Sequence, residues 1–247
     1  EPDAVVVSTN GRCQAEHSIK ALKAGCHVVS EVPGAFTVEE AHGIVAAAQL
    51  SGKQYMLAEN SSFWDFVRYF RKWVMEKRIG EVSYCEGEYI HYLPSTLVTE
   101  DNERTTPRDA REEGLTDLPP SWRADQPPIQ YVTHELGPLL EILDDRVVSV
   151  VCREGPWWQE QAPLRADAQT ALFQTAAGRM IKITVSLNTQ RPDPHNYRMM
   201  GTEGAAEWYR HERFARLSDR EMGVHDGWKV YEIDLAAPSD DTSTGHA

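Results

Sequence analysis

PDAVVVST (2–9), AEHSIKALKAG (15–25), CHVVSEV (26–32), TVEEAHGIVAAAQLSGK (37–53) and QYMLAEN (54–60) follow one another with only short joints between them. The first, third and fifth are short apolar runs, as strands buried on both faces would be. The second places Ile19, Leu22 and Lys23 at helical spacing and ends at Gly25, a natural C-cap. The fourth opens with Thr37 and Glu40, the spacing of a capping box, and sets Ala41, Ile44, Val45 and Ala48 on one face. Strand, helix, strand, helix, strand with short loops predicts a parallel sheet covered by helices.

Beyond residue 62 the pattern changes. FWDFVRYFRKWVMEKRIG (63–80) is an amphipathic helix with Phe66, Phe70, Trp73 and Val74 on one face and Gly80 as its stop. EVSYCEGEYIHY (81–92) is a strand. Residues 94–128 read as one polar, proline-bearing loop, a length at which loops are usually functional lids or disordered. VVSVVCRE (147–154), 167–188, 196–210 and 227–235 are strands joined by turns at AAGR (176–179) and GTEG (201–204). Strands without intervening helices imply an antiparallel sheet. The expected fold class is α/β plus α+β, namely half of a Rossmann-type parallel sheet (1–62) followed by an α+β domain with an open, mainly antiparallel sheet (63–235). Residues 236–247 are expected to be a tail or the start of a continuation. Val5, Val6 and Val7 come almost at once, so the chain reads as starting in mid-fold.

Hydrophobic residues make up 41% of the 247, enough for a sizeable core. The 25 basic and 38 acidic residues leave a net charge of −13, which argues against a nucleic-acid backbone or an anionic membrane as partner. Cys13, Cys26, Cys85 and Cys152 form no C-x-x-C pair, so neither a disulfide framework nor a zinc site is expected. With scattered thiols and no apolar run approaching about 18 residues, a cytoplasmic location is expected. His91, His134 and His195 have no metal-ligand spacing, so the expected metal is none. The chain also lacks a G-x-S-x-G nucleophile elbow.

Candidate site residues come from three places. Ser8, Thr9 and Asn10 end the first strand, where open α/β sheets bind ligands, and are candidates for cofactor contact. Tyr89 and His91 are two apart on a strand and so share a face, as candidates for substrate binding, though a half-exposed strand face explains them equally. His134 begins a predicted helix, HELGPLLEIL (134–143), and Tyr131 precedes it in a loop after two prolines; both are candidates for proton handling. Arg123 could hold a pair of hydroxyls or a carboxylate, although a surface arginine is the simpler reading. For Trp157 and Trp158, packing in a core or interface is simpler than stacking on a sugar.

The order PDAVVVST, HSIKALKAGCHVVSEVP, ENSSFW, RIGEV, GEYIH and RMMGTEGAAEW resembles the glucose–fructose oxidoreductase/inositol dehydrogenase family (Gfo/Idh/MocA) along nearly the whole chain. That resemblance implies an NAD(P)-dependent oxidoreductase acting on a sugar, glycoside or polyol hydroxyl, with NAD or NADP as cofactor. It also implies a homo-oligomer formed through the open sheet. Glu31, Val32 and Asn60 would then face the nicotinamide. Two departures stand out. The G-x-G-x-x-G turn, which the family carries upstream of Val5, does not occur, so the chain is expected to be a truncated piece that binds NAD weakly or not at all by itself. Val32 stands where the family usually has a lysine, and Gln14 where it often has a histidine. Glu31-Val32-Pro33, Glu59-Asn60 and Tyr131-Val132-Thr133-His134-Glu135-Leu136-Gly137-Pro138 resemble the family's NAD-dependent glycosidases, glycoside hydrolase family 109. That branch implies hydrolysis through transient C3 oxidation, elimination and addition. Loss of the lysine also leaves open a non-catalytic ligand-binding relative.

Overall fold

The computed structural model describes residues 2–158, 164–192, 195–210, 212, 214–222 and 226–232; the expected tail at 236–247 lies outside them. β1 (Ala4–Val7), β2 (His27–Ser30) and β3 (Tyr55–Leu57) form a parallel sheet in that order, with α1 (Gly11–Lys23) and α2 (Val38–Ser51) as crossovers. Asn10 caps α1 through its side chain, and Gly25 (φ +86°) follows its end. Thr37 and Glu40 cap α2 reciprocally. The faces of both helices are narrower than expected. Leu22, Ile44 and Ala47 are buried with Val7 and Val28, whereas Val45 and Lys23 face outward. Helical spacing assigns a stripe, but the width of the sheet beneath decides how much of it is covered.

After α3 (Asp65–Met75) comes an eight-stranded sheet in the order β13-β12-β11-β10-β4-β9-β8-β7. Its strands are β4 (Val82–Ile90), β7 (Val147–Glu154), β8 (Ala168–Thr175), β9 (Met180–Ser186), β10 (His195–Gly201), β11 (Gly204–Tyr209), β12 (Phe214–Ser218) and β13 (Lys229–Glu232). Every neighbouring pair is antiparallel except β4 and β9, which run parallel. The sheet is therefore mixed, because β4 is inserted between β9 and β10 from far earlier in the chain. α3 stops at Met75, short of Gly80; Lys77 takes positive φ (54°), and Gly80 (φ +72°) instead serves the turn into β4. The stretch 94–128 is not a single loop. It holds the small ladder of β5 (Leu97–Val98) with β6 (Arg104–Thr105) and the short helix α4 (Pro107–Glu112), started by Thr106 as cap and Pro107 at the first turn.

One face of the large sheet packs on α3 and α5 (Thr133–Leu143). Phe66 stacks on Trp208 at 4.3 Å and lies 4.4 Å from the Tyr197 ring, while Phe70, Leu139, Ile142, Ile181, Ile183 and Val185 complete the cluster. Val32, just past β2, belongs to the same cluster, so the exit of the parallel sheet is anchored in the core of the second. The opposite face carries ion pairs, Lys182–Glu86 at 2.6 Å and Arg198–Glu86 at 3.1 Å. Phe66 is fully buried among four aromatic rings. Phe66→Ala is expected to lower unfolding free energy by about 3–5 kcal/mol in urea titration; a loss under 1 kcal/mol would mean that the aromatic stack is not a main support.

Candidate functional site

The carboxyl ends of β1–β3 and the first turn of α5 meet. Segment 121–131 closes over the parallel sheet. Arg12 pairs with Asp125, Arg12 lies 4.7 Å over the Phe36 ring, and Trp122 meets Phe36 edge-on at 6.1 Å. A Cβ on Gly11 would meet the Trp122 ring at 2.7 Å, so glycine at the start of α1 is what admits this contact. Gln130 Nε2 donates to Phe36 O. Ile129 N donates to Gln169 Oε1 at 2.9 Å, which ties the same segment to the large sheet. Tyr131 ends a 3-10 turn (Pro128–Tyr131), rather than an irregular loop, and is buried.

Two glycines let α5 sit close. A Cβ on Gly87 of β4 would meet Glu135 Cβ at 2.8 Å, and one on Gly137 would meet Glu59 Cγ at 2.9 Å. Through that approach His134 Nδ1 reaches Glu59 Oε1 at 2.9 Å, with both residues buried. Glu59 also accepts from Ser61 N at 3.0 Å. Burial works against its charge, but the hydrogen bond and charge of His134, then Ser61 N, hold its carboxyl below the ordinary range. An ionised Glu59 accepts from Nδ1–H of His134 and so fixes the orientation of the ring.

A second buried pair lies beside the first. His195 Nδ1 and Glu135 Oε1 are 2.6 Å apart, and Tyr197 OH donates to His134 O at 2.7 Å. Rings fill the space between. Tyr89 stacks on Tyr131 (5.4 Å, 2°) and on His134 (5.1 Å, 18°), and meets His195 edge-on at 4.9 Å. His91 continues the stack 5.6 Å from Tyr89. Burial raises the phenols of Tyr89 and Tyr131, so both stay protonated donors; burial also lowers His91.

The structure thus brings His134, Tyr131, Tyr89 and His91 into one aromatic array. Tyr89 is 1% exposed, which overturns the half-exposed alternative. Arg123 is 8% exposed and so is no surface arginine; its guanidinium lies 5.0 Å over the ring of Trp122, and its carbonyl accepts from the buried Arg165. Trp157 and Trp158 are exposed, not packed in a core, because they follow edge strand β7 out of the sheet. Ser8, Thr9, Asn10, Glu31 and Asn60 lie exposed beyond their strands, with Val32 buried between them. Thr9 Oγ1 bonds His17 Nδ1 and Asn10 caps α1. Gln14 is a structural brace, donating to Thr9 O and Val32 O and accepting from Gly34 N. Glu59 and Glu135 entered the sequence reading only inside the Glu59-Asn60 and 131–138 motifs and were not singled out as site residues, and neither His195 nor Tyr197 was; the Glu59-Asn60 motif was the signal available for Glu59. No group of three or more potential metal ligands occurs among the described residues.

Burial, then the neighbouring Glu59 carboxylate, pushes Glu135 well above the ordinary range, which favours its protonated form. The folded chain keeps the Glu135 proton at pH values where the unfolded chain has lost it. Its contribution is therefore full below the unfolded pKa of about 4.3 and declines as pH rises toward the folded value. Glu59, whose pKa is lowered, acts in the opposite sense and only below that range. Glu135→Gln is expected to flatten the pH dependence of stability between pH 5 and 8 by up to about 1.4 kcal/mol per pH unit. Urea unfolding at four pH values checks it, and an unchanged slope would count against a protonated Glu135.

Residues 1–59 match the family model described as "Oxidoreductase family, NAD-binding Rossmann fold". Over 229 residues the chain is 27% identical to "Glycosyl hydrolase family 109 protein 2" of Akkermansia muciniphila, covering 83% of this chain and 45% of the relative. It is 26% identical over 227 residues to "Alpha-N-acetylgalactosaminidase" of Bacteroides fragilis, covering 84% and 52%. The chain spans about half the length of the curated relatives it matches. Among solved structures, an inositol dehydrogenase homolog from Azotobacter vinelandii, complexed with NADH and myo-inositol, superposes with a TM-score of 0.72 at 20% identity, covering 95% of this chain and 57% of that one. At that identity the likeness concerns the fold. The chain is thus similar to the NAD-binding Rossmann oxidoreductase family over its first 59 residues, to glycosyl hydrolase family 109 proteins in sequence over most of its length, and to an inositol dehydrogenase homolog in fold.

Proposed function

We propose that this chain belongs to an NAD(P)-dependent oxidoreductase that acts on a sugar, glycoside or polyol hydroxyl. The observation that carries this reading is the buried Glu59–His134 dyad, set within a stack of protonated phenols at the carboxyl end of a parallel sheet. The residues present fit the ribose and nicotinamide end of a dinucleotide. Ser8, Thr9, Asn10, Glu31 and Asn60 offer exposed polar groups, and Val32 provides an apolar wall. They do not include a G-x-G-x-x-G turn for the diphosphate. When bound, the cofactor would supply the hydride acceptor.

The chain's own groups handle the proton. Glu59 fixes the imidazole so that Nε2 of His134 accepts the hydroxyl proton, while the Tyr131 and Tyr89 phenols donate hydrogen bonds to sugar oxygens. His91, which burial keeps in its neutral form, lengthens the donor and acceptor surface beside Tyr89. The parallel-sheet segment to residue 62 would hold the cofactor, and residues 63–235 the substrate.

A second reading, an NAD-dependent glycosidase with no net redox change, is favoured by Val32 in place of a lysine and by relatives carrying the glycosyl hydrolase family 109 name. In that reading His134 and Tyr131 shuttle protons for elimination and addition as well as for oxidation. The two separate in one assay with NAD and a chromogenic glycoside. The dehydrogenase forms NADH in proportion to product, whereas the glycosidase releases aglycone without net NADH. In either case His134→Ala is expected to lower kcat by about 10²- to 10⁴-fold while the cofactor dissociation constant stays within about two-fold. An intact rate in that variant would remove His134 from the mechanism.

A further inference from the structure

Where the chain leaves β4 past Tyr89 and His91, residues 92–95 form one wall of a cleft of about 510 Å³ that Asn102, Glu103, Arg104 and Arg123 complete. This cleft has an unusual charge for a chain of net −13. Arg123 is 92% removed from solvent by its 8% exposure, and its Nε is buried without a hydrogen-bond partner. Among the described residues neither Arg104 nor Arg123 forms an ion pair. Burial, and next the neighbouring Arg123, make the charge on Arg104 harder to hold, while Glu103 on the same wall acts on it least. A third guanidinium, Arg210, lies 5.1 Å over the Trp64 ring and acts on both Tyr89 and His91. Arg165, also near, differs from these: its guanidinium is spent on the carbonyls of Arg123, Leu93 and Leu187 and on Asn188, which locks the segment bearing Arg123 to the large sheet.

A buried guanidinium without a counter-charge is unfavourable unless something completes it. Here the incomplete groups line an open cleft that adjoins the aromatic array, and Arg123 and Arg104 both act on the Tyr131 phenol. A planar guanidinium matches a carboxylate or a phosphate through paired N–H donors. We propose that the sugar-like substrate carries a negative charge, a carboxylate or phosphoryl group that Arg123 and Arg104 bind in this cleft. The inference rests on the proposed sugar site but not on any redox step, so it can be read without turnover.

Calorimetric titration of the chain with matched sugars tests it: methyl glucoside, methyl glucuronide and glucose 6-phosphate, with the galacto counterparts of each. In at least one configuration the acid or the phosphate is expected to bind about 10- to 100-fold more tightly than the neutral sugar, the range of charge-assisted hydrogen bonds. The acid and phosphate arms say which group is the occupant. Arg123→Gln should abolish the preference and Arg123→Lys restore part of it. Arg104→Gln, at a half-buried position and so safe for folding, should reduce it several-fold even if Arg123→Gln fails to fold. Equal binding of neutral and acidic sugars, no binding of either, a preference that survives Arg104→Gln unchanged, or displacement of the acidic sugar by NAD would each overturn the proposal. Absence of NADH formation and of aglycone release, with the charge preference intact, would instead remove the catalytic reading alone.

Discussion

The close seating of α5 on β4 is the constraint on which the candidate site depends. Helix and strand backbones approach this closely only where side chains are missing, and Gly87 and Gly137 supply the two gaps. Into the first gap goes Glu135, the second accommodates Glu59, and each carboxylate finds a histidine. A methyl group at either glycine would displace a buried carboxylate from its imidazole, and a buried acid that loses its partner is costly. The tyrosine stack has the same dependence, since Tyr89 comes from β4 whereas Tyr131 and His134 come from the start of α5.

Two paired carboxylates side by side would repel each other if both were ionised. Their environments separate them. Glu59 accepts from a backbone N–H and from His134 and stays charged, while Glu135, fully buried and next to Glu59, favours the neutral form. One acid thereby orients the imidazole proposed for proton transfer, and the other ties β10 to the helix without adding charge. The same logic applies in reverse at the adjoining cleft, where Arg104 and Arg123 form no ion pair among the described residues and Glu103 is the one acid on the wall. Net charge reveals none of this, because an excess of surface carboxylates outweighs a few buried cations.

Much of the fold was legible from periodicity. The three parallel strands, both crossover helices, the capping box at Thr37 and the run of hairpin strands appear where the pattern set them. What failed had physical reasons. The parallel contact between β4 and β9 joins segments more than ninety residues apart, and no local signal encodes it. The ladder and short helix within residues 94–128 are too short to show a periodic apolar stripe; the helix is marked only by its cap, Thr106, and Pro107. Arg123 looked like a surface residue because arginine usually is one, and only the tertiary docking of its segment, where Arg165 donates to its carbonyl, shows it to be buried.

By itself the sequence determined the element types, the order of the two sheets and the residues most apt for chemistry at strand and helix ends, because these follow from spacing and side-chain type. His134, Tyr131, Tyr89 and His91 were visible in that way. Tertiary structure decided which acid serves which histidine, that Glu59 rather than Asn60 is the buried member of its pair, and that two guanidiniums share a cleft without a counter-ion. Those outcomes depend on distances between segments as far apart as residues 59 and 134, set by how closely backbones pack, and spacing along a chain carries no such information.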